Sequence, residues 1–434
     1  MNAQTPSSPP VATAYAALVG LDWGDESHAL SLCVAGNTNF ERHLLEQTPE
    51  ALAQWAGALR ARFPEGKIAV ALEQSRGALL NGLLQYEHLV AYPVNPKSLA
   101  RFREALHPSR AKNDPSDADL LLELLLKHRD HLRPWHPDTP ATRQLALLSE
   151  QRRHFVDQRT ALTNELLSHL KVVFPQALEL TGRNLASLLA TDFLKKWPTL
   201  QAVQSVKPAV LRKFYYGHNS RSEKLICRRL ALVKSAAPLT QDPALLSAHS
   251  LAIQTLVGLL AALMPFIEQH DKQIEELFAA HPDSALFESL PGAGPVLAPR
   301  LLAALGSDRN RFPDALSVSC YSGIAPVTEK SGKTQHWVHL RWHCPKFLRQ
   351  SWHEFARCSL RSSVWARACY DDLRKRMDHH EAIRKIAYKW QRIVWRMWQD
   401  NKAYDEDCYL RSLQKRGLAI YSDLKPSPTL AIAE

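Results

Sequence analysis

Four carboxylates stand where a fold can gather them: Asp22 in GLDWG, Glu73 in AVALEQSRG, and Asp114 and Asp117 in AKNDPSDADLL. Asp22 and Glu73 each close an apolar run with strand character, while Asp114 and Asp117 open a helical run, three residues apart and so on one face. Acids brought within a few ångströms repel unless a cation lies among them. An all-oxygen set suits magnesium or manganese, and such an ion activates a hydroxyl or water for in-line attack on phosphorus. Each acid also has a plainer reading. Asp114 is a good N-cap before Pro115, Asp117 is favourable near the positive end of a helix dipole, and strand-end acids are often solvated surface. The order and placement of the four carry the metal reading. By the same reasoning Asp25, Glu26 and Asp119 are bystanders, Asp119 falling about 200° around the helix from Asp117.

Further along, YSGIAPVTEKSGKTQHWVHLRW contains two Ser-Gly pairs, at Ser322 and Ser331. Lys330 and Lys333 flank Ser331 and could hold a phosphate beside a serine nucleophile, though spacing alone leaves an ordinary loop as the simpler account. LPGAGPVLAPRLLAALG resembles a helix-hairpin-helix, in which Gly292 and Gly294 would leave backbone N–H groups open to a phosphate; a tight interhelical turn is the alternative. HEAIRKIAYKWQRIVWRMW places Ile383, Ile386, Trp390, Ile393 and Met397 on one face and Lys385, Lys389, Arg392 and Arg396 on another. The first face reads as core, the second as a phosphate-contacting face or ordinary solvated surface. His336, His339, His343 and Cys344 match no strong zinc spacing.

The elements that must position these groups follow from periodicity. AYAALVGLD and ALSLCVAG read as a hairpin, with a third strand near Asn39 to Leu44. A helix follows, with Thr48 as N-cap and Pro49 at its first position. Then come strand KIAVAL, a helix from about Arg76, strand HLVAYPV, a helix after Pro96 and a helix from Asp114. Three strands and then alternating helix and strand is the order of a ribonuclease-H-like α/β domain. After RPWHPDTP the pattern is helical for roughly 150 residues. Leu148, Phe155 and Leu162 recur at seven, with Leu145 and Leu166 in the companion seam and Arg152 and Arg159 interrupting it. A partial coiled-coil arm and simple packing within a domain are both compatible. The stretch near Asp242 to His281 could return antiparallel. KFYYGHNSRSEKLICRRL is basic and aromatic, and reads either as a nucleic-acid contact or as a solvated helical linker.

The expected layout is therefore a disordered leader over 1–13, a metal-binding α/β domain over 14–132, a helical arm over 133–284, a mainly helical C-terminal domain over 285–400 and a tail over 401–434. A chain of 434 residues suits two or three domains. Its formal net charge of +11 points to a polyanionic partner, nucleic acid first. The charge is uneven. Residues 1–130 hold 12 Lys and Arg against 15 Asp and Glu, whereas residues 330–416 hold 20 against 9. Seven scattered cysteines with no paired spacing fit a reduced, cytoplasmic chain. No signal peptide is expected. The apolar run from Leu251 to Ile267 contains Gln254 and Pro265 and continues into charge, which argues against a membrane span. Seven of the eleven tryptophans lie between Trp337 and Trp398, favouring a packed core over base stacking.

Taken in order, GLDWG, ALEQSRG, AKNDPSDADLL, LPGAGPVLAPRLLAALG, RFPDALSVSCYSGIAP and KSGKTQHWVHLRW resemble the DEDD transposases of the insertion-sequence 110 family, including its 1111 group. The resemblance implies a Holliday-junction-resolvase-like N-terminal domain with Asp22, Glu73, Asp114 and Asp117 as a metal tetrad, and a C-terminal transposase domain whose motif serine falls on Ser331. It further implies recombination of element DNA with target DNA under a noncoding bridge RNA, by a dimer or tetramer whose active sites combine carboxylates and serine from different subunits. A junction nuclease that cuts with water and does not rejoin, and a non-catalytic nucleic-acid-binding protein, are the alternatives.

Overall fold

A computed structural model describes residues 15–73, 77–106, 114–331, 335–417 and 419–424. The chain divides into two compact units, the first running to Pro137 and the second starting at Asp138.

In the first unit the expected elements form in the expected order. Strands β1 (Ala17–Asp22), β2 (Ser27–Val34) and β3 (Glu41–Glu46) make an antiparallel meander. Helix α1 (Pro49–Arg62) starts where Thr48 accepts a hydrogen bond from the Ala51 N–H. Strand β4 (Ile68–Leu72), α2 (Ala78–Leu83), β5 (Leu89–Pro93), α3 (Pro96–Leu106) and α4 (Asp114–His128) follow. The sheet order is β3-β2-β1-β4-β5, with β1, β4 and β5 parallel.

Period-2 alternation sorts the central strands onto two cores. Val19, Leu21, Val70 and Leu72 pack with Leu59 of α1 and Leu80 of α2. Leu18, Ala69 and Ala71 pack with Leu121, Leu122 and Leu125 of α4. The second face admits its helix very closely because Gly20 has no side chain. A Cβ there would lie 2.0 Å from the Ala118 carbonyl oxygen and 2.5 Å from the Leu122 nitrogen.

Among the described residues the second unit is helical apart from one small hairpin. Helix α5 (Pro140–Val173) leads to five shorter helices, α6 (Ala177–Thr181), α7 (Leu188–Lys196), α8 (Leu200–Gln204), α9 (Pro208–Gly217) and α10 (Glu223–Ser235), before α11 (Pro243–Ala279) returns. Helices α5 and α11 run antiparallel. Leu145 shares a core with Ile274 and Phe278 near one end, Arg152 pairs with Asp271, and Leu166 and Leu170 share a core with Ile253 and Leu256 near the other. The intervening helices cap that second end. Phe214 and Tyr215 of the basic aromatic stretch are buried there, with the Arg229 guanidinium 4.7 Å from the Tyr215 ring centre. Helix α11 is long and apolar enough to cross a membrane, yet Ile253, Leu256, Val257 and Leu260 face this protein core.

The remaining elements are α12 (Ser284–Glu288), α13 (Gly294–Leu305), α14 (Ala315–Tyr321), β6 (Val327–Ser331), β7 (Gln335–His339), α15 (Lys346–Ser359), α16 (Val364–Arg374), α17 (His379–Asp400) and α18 (Glu406–Lys415). Trp352, Trp365, Trp390 and Trp398 are fully buried in their core, as the tryptophan density predicts, whereas Trp337 and Trp342 are exposed. Of the segment 401–434, read from sequence as tail, residues 401–417 and 419–424 fold instead. Leu410 and Leu413 of α18 and Tyr421 are buried in the same core. That segment lacks a long apolar run and supplies only single anchors, so periodicity alone does not reveal it.

Candidate metal centre and nucleic-acid surfaces

The parallel register sets Leu21 of β1 beside Leu72 of β4. The next residues, Asp22 and Glu73, therefore end neighbouring strands side by side, with backbones about 4.8 Å apart. Leu21 and Leu72 face α1 and α2, so alternation turns Asp22 and Glu73 to the face covered by α4. Gly20 on that face lies under Ala118, and Leu18 packs with leucines further along the helix. The first turn of α4, with Asp117, accordingly lies toward the strand end that carries Asp22.

Asp22 is buried, Asp117 is completely so, and Glu73 is partly exposed. Asp117 Oδ1 accepts a hydrogen bond from Arg103 Nε of α3 at 2.9 Å and forms an ion pair with its Nη2 at 2.7 Å. Its Oδ2 is buried and lacks a hydrogen-bond partner among the described residues. A buried carboxylate oxygen without a donor is costly. A divalent cation is the partner that suits it, so the donor set fits magnesium or manganese. Asp114 opens α4, but its side chain lies outside the described residues. Among those described, no three His, Cys, Asp or Glu side chains close around one point.

The bystanders separate from this site. Asp119 is held by Ser31 and by Arg42, whose Nη2 lies 2.8 Å from Oδ2, and Asp25 and Glu26 are exposed. The β1–β2 turn beside Asp22 is fixed by His28, whose Nδ1 accepts the Gly24 N–H at 3.2 Å and whose Nε2 meets Gln47. Burial lowers the His28 pKa below the usual imidazole value, which keeps the ring in the neutral form that this acceptor role requires.

Ser331 is the exposed last residue of β6, paired across the hairpin with Gln335, and Lys330 before it is also exposed. Lys333 lies outside the described residues. At the glycine turn, Gly292 and Gly294 adopt φ of +80° and +56°, a region that L side chains rarely enter. A Cβ on Gly292 would come within 2.8 Å of the Cys358 carbonyl oxygen, whereas Gly294 faces open space. Close packing on α15 thus explains Gly292, and only Gly294 is left facing outward at the Cβ position.

The apolar face of α17 is core, as expected: Ile383, Ile386, Trp390 and Met397 are buried and Ile393 packs against them. The basic face is mixed. Lys385 and Arg396 are exposed and pair with Glu381 and Asp400, and Arg392 is exposed. Lys389 instead turns inward, with Nζ 3.2 Å from the Tyr421 hydroxyl and 3.1 Å from the Cys369 Sγ. Arg103 is the residue that sequence reasoning missed. Its position in α3 carries no motif, and only packing brings it to Asp117.

Comparison with known proteins gives two family matches. A transposase family model for the DEDD domain of IS110-type elements matches residues 19–175, and a model described as the IS116/IS110/IS902 transposase family matches residues 284–371. The first range contains all four carboxylates and the second contains Ser331. Among curated relatives, the mini-circle protein assigned as the transposase for IS117 in Streptomyces coelicolor is 27% identical over 372 residues, covering 84% of this chain and 89% of the relative. The 43.6 kDa protein of insertion element IS110, from the same organism, is 25% identical over 89% of this chain and 95% of its own length. The 42 kDa protein of insertion element IS900 from Mycobacterium paratuberculosis is 25% identical over 89% and 96%. The two matched regions together make up more than half of the chain, which belongs to the IS110-type transposases of the IS116/IS110/IS902 family.

Proposed function

We propose that this transposase cuts and rejoins DNA strands through a metal-dependent carboxylate site on a ribonuclease-H-like domain, with Ser331 as nucleophile. The observation that carries the reading is the buried Oδ2 of Asp117, unpartnered among the described residues, above the face on which Asp22 and Glu73 end adjacent strands. Asp22, Glu73, Asp114 and Asp117 would hold magnesium or manganese, which supplies Lewis-acid polarisation of the scissile phosphate when bound. The Ser331 hydroxyl then bonds to phosphorus as the strand's ester oxygen leaves. The hydroxyl of a new strand end later attacks the same phosphorus and releases the serine. Lys330 and Lys333 offset phosphate charge, and Gly294, Lys385, Arg392 and Arg396 contact the nucleic-acid backbone.

Element DNA and target DNA are the substrates, and a noncoding bridge RNA encoded beside the element is the guide that the family resemblance implies. Assembly as a dimer or tetramer is supported by the outer face of α11. Leu251, Leu259 and Phe266 are exposed there, within a stripe about 80° wide, and an apolar stripe of this length favours a protein partner.

Purified protein incubated with magnesium, RNA from the flanking noncoding DNA, and labelled donor and target duplexes should give a denaturant-resistant protein–DNA adduct. Ser331→Ala and Asp117→Asn should each abolish it, as should chelation. Metal-dependent cutting that survives Ser331→Ala would indicate water as nucleophile and overturn the serine assignment.

A further inference from the structure

Helices α15 and α17 pack through apolar faces that include Trp352 and Phe355 on one side and Ile386 and Trp390 on the other. Beside that seam each helix carries two basic groups four residues apart, hence on one face: Arg349 and His353 on α15, His380 and Arg384 on α17. The other three bear on His353. Burial first, and then the charges of Arg384, Arg349 and His380, hold the His353 imidazole down at about 4.

Their neighbours are neutralised and they are not. Lys385 pairs with Glu381, Arg396 with Asp400, and Arg300 with Glu354. Among the described residues neither Arg349 nor Arg384 is ion-paired with a carboxylate; Arg349 Nη1 reaches only the Arg341 carbonyl, at 3.2 Å. Arg384 Nε and His353 Nε2 are buried without hydrogen-bond partners among the described residues. Two guanidiniums without carboxylate partners, beside buried nitrogens whose hydrogen-bonding capacity is unmet, are unfavourably placed until an anion joins them. Guanidinium pairs with an imidazole suit phosphate oxygens in particular, and the exposed His380 places the cluster at the surface.

We propose that Arg349, His353, His380 and Arg384 form a phosphate-binding site that grips the nucleic-acid backbone, separate from Lys385, Arg392 and Arg396. The proposal deepens the reading of this chain as a DNA-acting transposase, and concerns binding rather than strand cleavage.

The test uses the full chain carrying Ser331→Ala, without divalent metal, so that failure of the cleavage chemistry cannot influence the result. Binding of a labelled random-sequence duplex is measured against salt for this protein and for one that also carries Arg349→Ala and Arg384→Ala. The pair should lower affinity roughly tenfold or more and reduce the slope of log K against log salt by about 2. Because neither arginine pairs with a carboxylate among the described residues, removing both side chains breaks no ion pair, and the unbound variant should melt no lower than its parent. Unchanged affinity and slope would overturn the proposal. So would a lower melting temperature together with weaker binding that Arg349→Lys and Arg384→Lys fail to restore, since that pattern marks a structural role. Stabilisation by inorganic phosphate that depends on the two arginines, with no effect on DNA, would assign the site to a free anion and overturn the nucleic-acid assignment.

Discussion

At the scale of single residues, the balance at Asp117 is the most exposed to perturbation. Arg103 is its described counter-charge, and both are largely or wholly buried. Arg103→Ala leaves an unpaired buried carboxylate and should destabilise the first unit by about 3–5 kcal/mol in the absence of metal. Divalent metal should recover part of that loss, so magnesium should raise the melting temperature of the variant more than that of the parent. An equal response in both would show that Arg103 and metal do not share Asp117. His353 gives a pH prediction. Its folded value near 4 lies below the unfolded value of 6.5 because burial and three neighbouring charged groups, Arg384, Arg349 and His380, disfavour its protonation. Above pH 6.5 the ring is neutral in both states. Between about 6.5 and 4 the unfolded chain takes up the proton first, so stability falls as pH falls through that window. His353→Gln should flatten this limb of a plot of urea midpoint against pH.

At the scale of elements, two contacts decide the architecture. Helix α4 reaches the sheet only because Gly20 is bare: Gly20→Val would place atoms inside the Ala118 carbonyl, which lies 2.0 Å from even a Cβ. The helix must move, at a cost of about 3 kcal/mol, carrying Asp117 away from Asp22 and Glu73. Loss of metal-dependent cleavage with DNA binding retained is the expected signature. The outer stripe of α11 predicts a different outcome. Leu259→Glu with Phe266→Glu should leave the helical content and melting temperature near those of the parent, because both side chains are exposed, but should shift the protein to a smaller species in sedimentation. An unchanged oligomeric state would remove α11 from the interface.

At the scale of the whole molecule, the carboxylates and the serine belong to different compact units. Calorimetry should therefore resolve two transitions, of which magnesium raises only one, and Asp22→Asn should abolish that rise. The uneven charge has the same division. The candidate metal acids lie in the acidic first unit, while Ser331, the α17 basic face and the Arg349–Arg384 cluster lie in the second.

The first unit was legible because its signals are local. Thr48-Pro49 marks a helix start, period-2 alternation marks strands, and Asp22 and Glu73 follow directly from strand ends. The antiparallel return of α11 was readable as an option from the length of two apolar patterns. What only the tertiary structure decided depends on contacts distant in sequence. Arg103 meets Asp117 because α3 and α4 pack. Lys389 leaves its solvent-facing stripe because Cys369 and Tyr421 lie within reach. Gly292 is bare because the end of α15 presses on it, and residues 401–417 and 419–424 fold because isolated anchors such as Tyr421 find a core already built. A sequence determines which faces are apolar and where chains turn. Which charged side chains lose water, and which partners they then keep, is set by packing, because desolvation depends on every neighbour at once.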